Sequence, residues 1–136
     1  MKTKELTKKA LVMLTMMLSF VMSAEGQPKQ VIEFQTVMTQ HETTYKNLVR
    51  EGKYKEAIAP LTTLINLIDT TNIYKVANIY EAAVRQLNAP YYYDLACCYA
   101  VTKQKKQALK ALEQAVALGY NDYNNMLNDK DRKSVV

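Results

Sequence analysis

Residues 89–120 read APYYYDLACCYAVTKQKKQALKALEQAVALGY. Pro90 is favoured at a helix start, and Tyr92, Leu95, Ala96 and Tyr99 follow it three or four residues apart, on one side of a helix that ends near Thr102 to Gln104. From Lys105 a second periodic run turns Ala108, Leu109, Ala111, Leu112, Ala115 and Val116 inward and gives Lys106, Lys110, Glu113 and Gln114 to water. Gly119 suits the left-handed conformation that terminates a helix. A connection this tight forces the two helices to lie antiparallel.

The same period extends upstream. Phe34, Val37, Met38, His41, Tyr45, Leu48 and Val49 form the stripe of a first long helix beginning at Val31, which Arg50 to Lys53 interrupt with Gly52 as its stop. A second helix carries Tyr54, Ala57, Ile58, Leu61, Leu64, Ile65 and Ile68 on one face. Pro60 lies inside it, removing one backbone hydrogen bond and favouring a bend. Asp69 to Asn72 supply stop and capping chemistry before Ile73, Val76, Ala77, Tyr80, Ala83, Val84 and Leu87 predict a third amphipathic helix. No segment alternates apolar and polar residues long enough to read as a strand. The fold class predicted is all-α.

The chain has 136 residues, enough for one domain. Lys2, Lys4, Lys8 and Lys9 precede an uncharged run from Ala10 to Ala24, followed by Glu25, Gly26 and Gln27. This is the layout of a secretory signal peptide over residues 1–24, leaving a helical domain at 25–136. The run is shorter than the roughly 20 residues that cross a bilayer, so no permanent membrane anchor is expected. The expected destination is the periplasm or the extracellular space. The formal net charge is +5, but residues 1–24 hold four Lys and one Glu, so the remainder stands near +2. That excess gives no reason to expect a nucleic-acid partner.

The residues of the 89–120 hairpin also carry a likeness. Tyr92, Leu95, Ala96, Tyr99, Ala108, Leu112 and Ala115 resemble the tetratricopeptide repeat, in which small residues sit where two helices approach and large ones fill the space around them. The same template set on Ala57 gives His41, Thr44, Tyr45, Leu48, Gly52, Tyr54, Ala57, Leu61 and Leu64, with a degenerate first half. Ala57 and Ala108 are 51 positions apart, one repeat of roughly 34 residues and a surplus, which residues 72–88 supply as an inserted helix. The tail, with Gly119, Tyr120, Asp122, Asp129, Lys130 and Asp131, is similar to the end-of-group variant of exported bacterial proteins, although Arg132 stands where that variant usually has Leu. The resemblance implies antiparallel helix hairpins, two pairs plus the inserted helix and a short C-terminal helix, as a fragment of a right-handed α-solenoid.

Catalytic and cofactor chemistry is sparse. One His and two Cys do not make a metal site. Cys97 and Cys98 are adjacent on a helix and cannot bridge without breaking it, so they read as small buried residues. His41 lies on an apolar stripe with no nucleophile at a recognisable spacing. Asp129, Asp131 and the cluster Asn121, Asn124, Asn125 and Asn128 lack the glycine turn and closing Glu of a calcium loop. No enzyme activity, cofactor or metal is expected.

What the resemblance does imply is a concave surface lined by the first helix of each pair. By position it consists of Thr39, Glu42, Lys46, Val49 and Arg50 from the first pair and Tyr93, Cys97, Ala100 and Val101 from the second. One half is charged and the other apolar, suited to a peptide or helix of mixed character. The dicarboxylate clamp of some family members needs Lys and Asn here, and only Lys46 partly fits. The expected function is an exported, non-enzymatic interaction module for a protein or peptide partner. The alternative is a structural cap or a self-associating subunit, including a homodimer, because two repeats leave hydrophobic faces open.

Overall fold

The structure is a computed structural model that describes residues 27–121. The expected signal peptide and closing helix, with the Asp129 and Asp131 tail, lie outside the described residues. Helix α1 spans Lys29–Arg50 and turns Val31, Phe34, Met38, Glu42 and Tyr45 inward, three and four residues apart as the stripe predicts. Gly52 ends it at φ +78°, and the Lys53 amide donates to the Leu48 carbonyl at 2.8 Å. Helix α2, Tyr54–Thr70, packs back on α1 with Ala57, Leu61, Leu64, Ile65 and Ile68 buried and Pro60 within it.

The predicted third helix is two short ones, α3 at Ile73–Ala77 and α4 at Glu81–Arg85. Asn78 separates them at φ +55°, and the Ile79 amide closes α3 by donating to the Tyr74 carbonyl at 3.0 Å. Asn is among the few residues that tolerate this left-handed conformation, so one residue overrides an otherwise continuous apolar period. Tyr80, placed on the buried stripe by that period, is 86% exposed.

Polar clips fasten this insertion to the end of α2. Arg85 donates to the Ile68 carbonyl and, at 2.9 Å, to the Thr71 carbonyl, both at a helix terminus whose last carbonyls lack partners within the helix. Its guanidinium also pairs with Glu81 at 2.9 Å and lies over the Tyr74 ring, 5.3 Å from its centroid. Asn88, fully buried, donates to the Ile65 carbonyl at 3.0 Å and to Asp69 Oδ1 at 2.7 Å, while Tyr92 donates to Asp69 Oδ2 at 3.1 Å.

Helices α5, Asn88–Val101, and α6, Lys105–Ala117, form the second antiparallel hairpin, and α5 also packs against α2. Among the described residues there is no strand, and the protein is an all-α arrangement of helix hairpins. Ala57, Ala96 and Ala108 are all buried where the helices meet, so their small size sets how closely the helices approach. Leu109 and Val116, expected inside, are 52% and 41% exposed, because the contact edge of α6 runs through Ala108, Ala111 and Ala115 with Leu112 packed beside them.

Candidate partner-binding surface

The nine residues expected to line one surface do not share one. Thr39 and Arg50 are exposed on α1, Lys46 and Val49 are partly covered, and Val101 is exposed at the end of α5. Glu42, Tyr93, Cys97 and Ala100 are buried. For Tyr93 and Cys97 the cause is a second small core built from Ala89, Tyr93, Cys97, Ala115 and Tyr120. Tyr93, 0% exposed, stacks on Tyr120 with ring centroids 4.5 Å apart and planes 12° from parallel. Tyr92, expected in the core, is the partly exposed member of the Tyr91 to Tyr93 run, and Tyr91 takes the core position.

Glu42 is buried by a polar cluster that joins α1 to α5. It is 4% exposed and accepts from Lys46 Nζ one turn along the helix. Tyr91, on α5, lies close enough to the Glu42 carboxylate for its charge to act on the Tyr91 hydroxyl. Tyr45, next to Glu42 on the α1 stripe, donates to Asp94 Oδ2 of α5 at 3.0 Å, and the two tyrosine rings meet edge to face at 6.2 Å. Burial and then the Asp94 charge hold the Tyr45 pKa well above its ordinary value. Burial and then Glu42 do the same for Tyr91. Each tyrosine is therefore a neutral hydroxyl facing a carboxylate, with no proton to give up near neutral pH. A carboxylate on an apolar stripe was the available sequence signal. The hydroxyl that faces it lies 49 positions away and is fixed only by tertiary packing.

With Glu42 used internally, the open part of α1 is its other flank. Ile32, Gln35, Thr36, Thr39, Gln40, Thr43 and Thr44 line a shallow depression there. Thr36 and Thr44 direct their hydroxyls to the Ile32 and Gln40 carbonyls, each at 2.8 Å, which leaves Thr39, Gln40 and Thr43 as its exposed hydrogen-bonding side chains. Gln35 Nε2 is a buried amide nitrogen without a hydrogen-bond partner among the described residues. Leaving a buried donor unmet costs about 1–3 kcal/mol, so this position stands out energetically. Lys46 and Arg50 extend the same helix toward its C-terminus with positive charge. His41 is partly buried on α1. Among the described residues no three His, Cys, Asp or Glu side chains converge as metal ligands, and no helix is long and apolar enough to cross a membrane.

No family model matches the chain, and no solved structure matches it. A chloroplastic protein of Arabidopsis thaliana is 29% identical over 86 residues, which cover 63% of this chain and 22% of the plant protein. The chain thus spans about a fifth of the length of the curated relative it matches.

Proposed function

We propose that the protein is an exported, non-enzymatic interaction module of tetratricopeptide-like architecture that holds an extended segment of a partner protein along α1. The observation that carries this reading is the buried Gln35 amide donor, unmet among the described residues, at the Thr- and Gln-lined depression. A backbone carbonyl of an extended peptide is an acceptor of the right kind once the Gln35 side chain turns outward, while Thr39, Gln40 and Thr43 offer further hydrogen bonds alongside it. Arg50, exposed near the C-terminal end of α1, favours a segment that carries an acidic residue beyond the depression. The helix hairpins behind α1 supply rigidity, which lowers the entropic cost of gripping a flexible segment.

Site-specific photo-crosslinking tests this. A photoreactive residue at Thr39 or Thr43 should yield one common adduct in the exporting cell, and the same group at exposed Lys55 on α2 should not. Arg50→Glu should reduce the adduct yield. Adducts of equal yield from Thr39 and Lys55, or from neither, would refute the assignment.

A further inference from the structure

Three apolar side chains of α6 form a stripe along the margin of the core, against which only Leu112 packs. Leu109 and Val116 are exposed, at 52% and 41%, and Leu112 between them is half-buried. Leu109 and Val116 are seven positions apart with Leu112 inside the interval, the spacing of a two-helix seam. Lys105 takes the next seam position upstream. Ala108 and Ala115 on one flank of the stripe are buried in the protein's own core, so only the other flank is open.

That open flank carries Lys106 and Glu113, both exposed and again seven positions apart. Seven residues rise about 10.5 Å along a helix, so the two cannot pair with each other. Neither enters an ion pair among the described residues. Opposite charges one heptad apart on a single flank complement themselves when two copies of the helix run antiparallel. Leu109 of one copy then shares a layer with the partner's Leu112, and Lys106 meets the partner's Glu113. Twofold symmetry makes each contact twice. A parallel pairing instead sets each charge against the alanine flank.

We propose that the outer face of α6 is a homodimer interface, with the helices antiparallel across Leu109, Leu112 and Val116 and registered by reciprocal Lys106 to Glu113 pairs. A second copy is the occupant this charge pattern selects, since it supplies both complements at the required spacing. One helix face with three apolar side chains should bury well below the roughly 1,600 Å² of a standard stable complex. Its dissociation constant is expected in the range of about tens to hundreds of micromolar. It is separate from the α1 surface, so either assignment can fail alone.

Sedimentation equilibrium of the full chain, carried up to about ten times that range, tests it. The expected result is a monomer–dimer equilibrium. Lys106→Glu alone and Glu113→Lys alone should each weaken it about tenfold, and the double exchange should restore it. Leu109→Glu should abolish it with helical circular dichroism unchanged, because Leu109 is half in water already. A monomer at every concentration would overturn the proposal, whether or not α6 captures some other protein. So would charge reversals that leave the dimer unaltered, or a double exchange that fails to rescue it.

Discussion

Replacing Tyr91 by Phe removes one hydroxyl from the cluster between α1 and α5 and leaves the ring that packs against Tyr45. The edge-to-face contact at 6.2 Å should survive, so the change isolates the hydroxyl's interaction with the Glu42 carboxylate. A hydrogen bond to a charged group contributes about 1.5–3 kcal/mol, and loss of a donor to a buried carboxylate is felt in full because water cannot replace it. Glu42 keeps Lys46, which places the expected loss near the bottom of that range, about 1.5–2 kcal/mol. Tyr45→Phe is the comparison. Its acceptor, Asp94, is partly exposed, so water makes good part of the loss and about 1 kcal/mol is expected. Urea denaturation at neutral pH reads both as shifts in midpoint at constant slope. The reasoning is refuted if Tyr91→Phe costs less than Tyr45→Phe, or if neither costs more than about 0.5 kcal/mol.

Ala108→Leu should lower stability by about 1–3 kcal/mol through overpacking between α5 and α6, whereas Leu109→Ala, one residue on, should cost well under that in the same denaturation assay. Arg85→Ala strips the Ile68 and Thr71 carbonyls of their donor; about 1–2 kcal/mol should be lost, and amide exchange in α3 and α4 should accelerate before that in α1. Alkaline titration has a definite sign. Tyr45 and Tyr91 have folded pKa values raised above the unfolded value of about 10, so their stabilising contribution is complete below that pH and lost as pH climbs beyond it. Tyrosinate absorbance should therefore rise together with loss of helical dichroism, and Tyr45→Phe with Tyr91→Phe should flatten the pH dependence while lowering stability at neutral pH.

The helices were legible because their information is local. A stripe of Val31, Phe34, Met38 and Tyr45 needs only a 3.6-residue period to be read, and Gly52 and Gly119 mark their stops through backbone freedom that both use, at φ +78° and +98°. The insertion failed as one helix because periodicity weighs fifteen residues equally, and the backbone of Asn78 alone decided the outcome. The candidate surface was less legible for a different reason. Positions on a repeat template say which way a side chain leaves its helix, and they do not say what lies opposite. Tyr93 leaves α5 and meets Tyr120, while Glu42 leaves α1 and meets Tyr91, so two positions assigned to a partner are filled from within. Gln35 is silent in the sequence because an amide among threonines and glutamines has no contrast there. Its burial without an acceptor exists only in three dimensions.

Gln35→Met offers the most direct test, because one substitution is expected to move two observables in opposite directions. It deletes a buried unmet donor while nearly conserving volume, so the fold should gain about 1 kcal/mol in urea denaturation. At the same time the photo-crosslinked adduct formed through Thr39 should fall, since the donor proposed to hold a peptide carbonyl is gone. A protein that is less stable and crosslinks as before would mean that the amide serves the chain itself, and α1 would lose its standing as a docking site.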